Sequence, residues 1–100
     1  MRYLQWDPAK ARANEEKHGV SFEEAATIFD DPLLLLHEDE KHSRDELRLI
    51  AIGESDADRV LFVVFTERRS KSHEEEICRI LSARAASKKE RQRYFKAPAP

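Results

Sequence analysis

Apolar positions recur along this chain with two periods, and the places where the period changes mark out its elements. In LRLIAIGE, residues 47–54, Leu47, Leu49 and Ala51 alternate with Arg48, Ile50 and Ile52, the pattern of a strand. After the turn ESDAD comes RVLFVVFTER, an apolar run without interruption from Val60 to Phe65. Such a run suits a central strand buried on both faces. EICRILSAR, Glu76 to Arg84, alternates again. Strict alternation groups Cys78, Ile80, Ser82 and Arg84 on one face and Ile77, Arg79, Leu81 and Ala83 on the other. RSKSHEEE between these two strands reads as a polar hairpin connection. Two shorter runs, RYLQW (Arg2 to Trp6) and LLLLH (Leu33 to His37), are predicted strands, and the charged HEDEKHSRDE that follows (His37 to Glu46) is an expected exposed loop.

The helical period appears between the first two strands. Asp7-Pro8 supplies an N-cap followed by proline at the first helical position, and the helix runs to about His18, where Gly19 stops it as a left-handed cap. Its apolar content is thin, Ala9, Ala11 and Ala13. Ser21 with Glu24 has capping-box spacing and opens a second helix. Phe22, Ala25, Ala26 and Phe29 there fall at i, i+3, i+4 and i+7 and make one apolar face, which Asp30-Asp31-Pro32 ends. Ser87 with Glu90 repeats the capping box and opens a basic helix ending near Phe95. The expected order is β-α-α-β-β-β-β-α, an α+β domain with a single mainly antiparallel sheet, two N-terminal helices and a C-terminal helix. One domain, residues 1–96, is expected, with 97–100 a frayed tail. A chain of 100 residues buries roughly two-thirds of its unfolded surface, enough for one core.

Charge changes this picture more than composition does. The net charge of −2 hides an asymmetry: residues 1–58 carry seven Lys/Arg against fifteen Asp/Glu, and residues 59–100 carry eleven against five. A basic C-terminal lobe suits a polyanion, because phosphate contacts dominate affinity for nucleic acid. The same charge also suits a solvated helix with surplus lysine. A single cysteine, Cys78, excludes an intrachain disulfide and favours a reducing compartment. No apolar run approaches a bilayer span, so a soluble, cytosolic protein without a membrane partner is expected. Gly19 and Gly53 are the only glycines, which leaves no glycine-rich phosphate loop and disfavours nucleotide-dependent chemistry. No cofactor is expected.

Three groups of residues can carry chemistry. Lys10, Asn14, Lys17 and His18 share one polar face of the first helix by spacing. Cations near a helix C-terminus account for Lys17 and His18 but not for the alignment of Lys10 and Asn14 with them. The second group is the pair of strand ends TER, with Glu67 and Arg68, and SAR, with Ser82 and Arg84. Arginine's planar fork suits phosphate, and pairing with helix carboxylates is the alternative role. His37, Asp39 and His42 form the third group, but their segment lacks the spacing of a metal site, and none is expected.

Taken in order, Trp6-Asp7, Lys10, Asn14, Lys17-His18-Gly19-Val20, Phe22 and Glu24-Ala25 resemble the N-terminal signature of the BrnT toxins. His42-Ser43 with Glu46 and Arg48, Ile52-Gly53, Thr66-Glu67-Arg68, Leu81-Ser82-Ala83-Arg84 and Glu90-Arg91 with Tyr94 extend the resemblance from about Tyr3 to Phe95. The resemblance implies a RelE-like fold and a ribonuclease that arrests growth by cutting RNA. It also implies a BrnA-type antitoxin with a ribbon-helix-helix domain, through which alone the toxin reaches operator DNA. Two features depart from it: the acidic stretch His37 to Glu46, and the glutamates of KSHEEE.

Metal-free RNA cleavage by the 2′-hydroxyl needs a base, cations around the phosphate, and an acid for the leaving oxygen. On this resemblance His18 and Glu67 are rival bases, and Arg68 and Arg84, with Arg79, stabilise charge. Lys10 and Lys17 position phosphate, Ser82 belongs to the same site, and Tyr94 stacks on a base or donates a proton. The contrasting expectation is a non-catalytic nucleic-acid-binding or co-repressor module.

Overall fold

The structure, a computed structural model, describes residues 2–42, 46–69 and 76–97. Five strands form one sheet: β1 (Arg2–Gln5), β2 (Leu35–Glu38), β3 (Leu47–Glu54), β4 (Val60–Arg69) and β5 (Glu76–Ala85). Three helices accompany them: α1 (Pro8–His18), α2 (Phe22–Thr27), prolonged by a 3-10 turn Ile28–Asp30, and α3 (Lys88–Lys96). The sheet order is β1-β5-β4-β3-β2, antiparallel except where β1 lies parallel to β5. The α+β class and the expected order of elements are those observed. The predicted hairpin connection at 70–75 lies outside the described residues, as do 43–45.

Two layers sandwich the sheet unequally. On one face Val20, Phe22, Ala25 and Ile28 cover Ala51, Leu61, Val63, Phe65, Cys78, Ile80 and Ala83 in the main core. Trp6 meets Phe22, and Phe29 meets Phe65, edge to face at 6.2 and 5.1 Å between centroids. On the other face α3 covers only one end, where Tyr94 and Ala86 pack on Ile52 and Val60. No helix among the described residues covers the remainder of that second face.

Strict alternation fails in β5. Val64 pairs with Ser82 but Phe65 pairs with Ile80, so Leu81 is the extra residue of a β-bulge. The bulge reverses the alternation beyond it. Cys78, Ile80 and Ala83 face the main core, while Arg79, Ser82 and Arg84 share the opposite face, correcting the grouping expected from spacing.

Local chemistry explains the helix ends. The Asp7 side chain accepts from the Ala9 amide at 2.8 Å, and Gly19 adopts φ 69° with its amide bonded to the Glu15 carbonyl. Ser21 caps α2 through the Glu24 amide at 3.0 Å, but the Glu24 carboxylate does not close the expected box. It accepts instead from Arg59 Nε and Nη2, both at 2.7 Å, and from Ser55 Oγ at 2.7 Å. Arg59 Nη2 also donates to the Gly19 carbonyl at 2.9 Å, tying the α1–α2 junction to the β3–β4 turn. Leu33 and Leu34 turn rather than extend, because Asp31 Oδ1 accepts from the Leu33 amide and the Leu34 amide reaches the Asp31 carbonyl.

Candidate functional site

Cross-strand partners share a face, so the pairing register lays out the open side as rows. Leu35, Ile52, Phe62 and Arg84 form the row at the α3 end; His37, Ile50, Val64 and Ser82 form the next. Arg48, Thr66, Arg79 and Gln5 follow, then Arg68 with Ile77 and Tyr3. Four arginines, Arg48, Arg68, Arg79 and Arg84, therefore project from the same side over a floor of Ile50, Val64 and Phe62. At one end of this side α3 rises as a wall, where Tyr94 packs beside Ile52 and Phe62.

Arg84 is held by two partners. Its guanidinium lies 4.0 Å from the Phe62 ring centroid, a cation–π arrangement. It donates from Nη1 and Nη2 to the two carboxylate oxygens of Glu90 at 2.7 and 2.9 Å. Glu90 also closes the α3 capping box, accepting from the Ser87 amide at 2.8 Å while its own amide donates to Ser87 Oγ at 3.2 Å. The Arg84 guanidinium beside it holds the Glu90 carboxyl below the usual carboxylate range. One glutamate thus starts the helix and aims the arginine.

His37 lies on the same side, on β2. Burial first, and then the Arg93 charge, push its imidazole pKa below the ordinary value, against weaker opposition from Asp39 and Glu90. It is a histidine held toward its neutral form beside a cationic face. Among the described residues no three His, Cys, Asp or Glu side chains converge on a metal-sized site.

The other residues named from the sequence are dispersed. Arg68, Arg79, Ser82 and Arg84 lie together on the open face. Glu67 pairs with Cys78 and Leu47, which places it on the main-core side, opposite Arg68. Lys10, Lys17 and His18 are exposed on α1, outside the open face. Tyr94 is 6% exposed in the second core, its hydroxyl donating to Asp31 Oδ2. Burial, followed by that bond to Asp31, holds the Tyr94 phenol above its ordinary pKa.

Asn14 explains its own alignment with Lys10 and Lys17. β1 covers β5 only as far as Arg79, so the Ala83 backbone would otherwise be an unpaired edge. The Asn14 side chain pairs with it as a strand would: Nδ2 donates to the Ala83 carbonyl at 2.8 Å, and the Ala83 amide donates to Oδ1 at 3.1 Å. Nδ2 also donates to the Val20 carbonyl at 3.0 Å. From behind the sheet, Asn14 fixes the residue between Ser82 and Arg84.

The chain is thus a small α+β domain with one covered sheet face and one arginine-lined face. A family model described as the ribonuclease toxin BrnT of a type II toxin–antitoxin system matches residues 6–90. The chain belongs to this family of ribonuclease toxins. Its fold is similar to the crystal structure of the Brucella abortus ribonuclease toxin BrnT. The TM-score is 0.63 and the identity 28%, with 88% of this chain and 99% of that chain covered. No curated protein matches the sequence. No helix among the described residues is long and apolar enough to cross a membrane.

Proposed function

We propose that this protein arrests growth by cutting RNA on the open sheet face, without a metal ion, and that an antitoxin covers that face to neutralise it. The alignment of Arg48, Arg68, Arg79 and Arg84 along one side of the sheet carries the proposal. Guanidinium groups there supply the positive charge that an in-line attack of the 2′-hydroxyl on phosphorus requires.

Arg84, pre-aimed by Glu90 and Phe62, grips the scissile phosphate with Ser82 in the next row, while Arg79 and Arg68, two and three rows further along the strands, meet neighbouring phosphates of the same RNA. His37 takes the 2′-hydroxyl proton, because its neutral form is favoured and it faces the arginines across the apolar floor. The 2′-oxygen then bonds to phosphorus, the bond to the 5′-oxygen breaks, and that oxygen takes a proton from water as it leaves, while the protonated His37 returns its proton to the hydroxide so formed. The products are a 2′,3′-cyclic phosphate and a 5′-hydroxyl. Glu67 and His18, the bases expected from the sequence, have no place in this scheme, since neither projects onto the open face. Neutralisation follows the family's type II arrangement, and a ribbon-helix-helix antitoxin of the BrnA type, which also carries the pair to operator DNA, is the partner we propose.

The test is induced expression of the wild type beside Arg84→Ala, with growth and total RNA followed in both cultures. Arrest with RNA loss in the wild type, relieved by a soluble and folded variant, is the expected result. Normal growth with intact RNA from a folded wild-type protein would overturn the proposal in favour of a binding or co-repressor module.

A further inference from the structure

The outer side of α3 carries a second feature that cleavage chemistry does not use. A groove of about 720 Å³ runs between α3 and the β2 edge, lined by Leu35, Lys89, Gln92, Arg93, Lys96 and Ala97. Lys89, Gln92, Arg93 and Lys96 stand at i, i+3, i+4 and i+7, so they form one stripe along the helix. Among the described residues no acidic side chain lines the groove. The one carboxylate of α3, Glu90, is taken up by Arg84 and Ser87.

Folding alone does not favour this stripe. Lys89 stands opposite Arg93 at i, i+4, and Arg93 opposite Lys96 at i, i+3, like-charge spacings that cost stability in a helix. The helix dipole rewards Arg93 and Lys96 in the last turn but opposes Lys89 in the first. The groove also adjoins the candidate site, since Leu35, which lines it, lies two residues before His37 on β2 and on the same face.

We infer that this groove is a subsite for single-stranded RNA flanking the cut, an inference that rests on the nuclease proposal above. The stripe from Lys89 to Lys96 rises about 10.5 Å along the helix. At about 3.4 Å per stacked nucleotide this spans roughly three nucleotides. The three cations meet phosphates, and Leu35 and Ala97 offer an apolar floor to a ribose or base.

The probe is a short fluorescein-labelled single-stranded RNA, methylated at its 2′-hydroxyls so that it cannot be cut, titrated at several salt concentrations. The variant is Lys89→Gln/Lys96→Gln, which leaves Arg93 beside His37; Lys89→Arg/Lys96→Arg retains the charge. The expected result is weaker binding by the glutamine variant and a log–log salt slope shallower by about 1.4, two contacts at about 0.7 each. The arginine variant is expected to restore both. An unchanged slope in a folded glutamine variant, while the wild type cuts natural RNA, would overturn the subsite alone. A wild type that binds the probe steeply but cuts nothing would overturn the nuclease proposal and leave the groove standing. Capture of polyglutamate in place of RNA would assign the stripe to an acidic polypeptide and overturn the inference.

Discussion

Replacing Asn14 by alanine removes three hydrogen bonds at once and leaves the Ala83 amide, the Ala83 carbonyl and the Val20 carbonyl without partners. Asn14 is 8% exposed, so water has little access to take its place. A net contribution of about 1 kcal/mol per bond sets the expected loss at about 3 kcal/mol, and each orphaned buried group pushes it upward. That is a large share of the ~5–15 kcal/mol that holds a domain of this size together. Urea unfolding of purified wild type and variant, followed by circular dichroism, measures the loss. With a slope of about 1.5 kcal/mol per molar, the midpoint is expected to fall by about 2 M. Asn14→Asp adds a second signature. It keeps the acceptor for the Ala83 amide, loses both donors, and points a carboxylate at two carbonyl oxygens, so its pKa rises on folding. A group with a raised folded pKa contributes its stability below the unfolded value, about 3.9, and loses it as pH climbs through the folded value. The aspartate variant is therefore expected to come closer to wild type as pH falls. A loss under about 0.5 kcal/mol in the alanine variant would refute the edge-pairing role of Asn14.

Other outcomes follow from the same geometry. Asp31 is driven upward in pKa by burial, but bonds from the Glu54 amide, the Tyr94 hydroxyl and the Leu33 amide outweigh this and leave it below its ordinary value. Arg59 lowers Glu24 and Arg84 lowers Glu90 in the same direction. Unfolded chains thus bind more protons than folded ones through the acid range. The carboxylate contribution is full above about pH 4.5 and falls as pH drops through the folded pKa values, while the depressed His37 adds a loss that begins below its ordinary value of about 6.5, as acid titration of the thermal midpoint should show. Tyr94→Phe is expected to cost about 1 kcal/mol in urea unfolding, the net worth of its bond to Asp31. Gly53→Ala brings a Cβ within 2.8 Å of Leu34 Cδ1 and 3.2 Å of Ile28 Cβ, and overpacking of this kind costs about 1–3 kcal/mol. Gly19→Ala meets nothing within 4 Å, so its cost of about 1 kcal/mol comes from the backbone at φ 69° alone. Cleavage by the wild type should fall as pH drops below the depressed His37 pKa, and His37→Gln should abolish that limb of the profile.

Much of the fold is legible in the chain because local rules and tertiary needs agree. Asp7-Pro8 and Gly19 bracket α1, LRLIAIGE spans β3 residue for residue, and the Ser87–Glu90 box opens α3. The candidate site is legible only in part, because its assembly depends on partners distant in sequence. Nothing local to EICRILSAR announces the bulge at Leu81, which exists relative to β4 and decides on which side Arg84 emerges. Glu24 has the spacing of a capping box and follows it halfway. Its carboxylate is claimed by Arg59, which lies 35 residues away. Asn14 looks like one polar residue among several until the short β1 leaves an edge for it to fill. The Arg93 charge acts on His37 only because α3 folds back over the sheet.

The first strand lies beside the last, and this bears on how the protein is made. During synthesis α1 emerges early, yet its anchor on Ala83 is 69 residues further along the chain. Arg79, Arg84 and Glu90 also belong to the final quarter. A ribosome that has finished β4 holds a chain with neither a closed sheet nor an assembled arginine face. On the proposed function, harm to the host is withheld until translation is nearly complete, and a premature stop even within α3 is expected to yield no poison rather than a weaker one. Genetic selection for escape from growth arrest should accordingly recover nonsense and frameshift lesions along almost the whole reading frame.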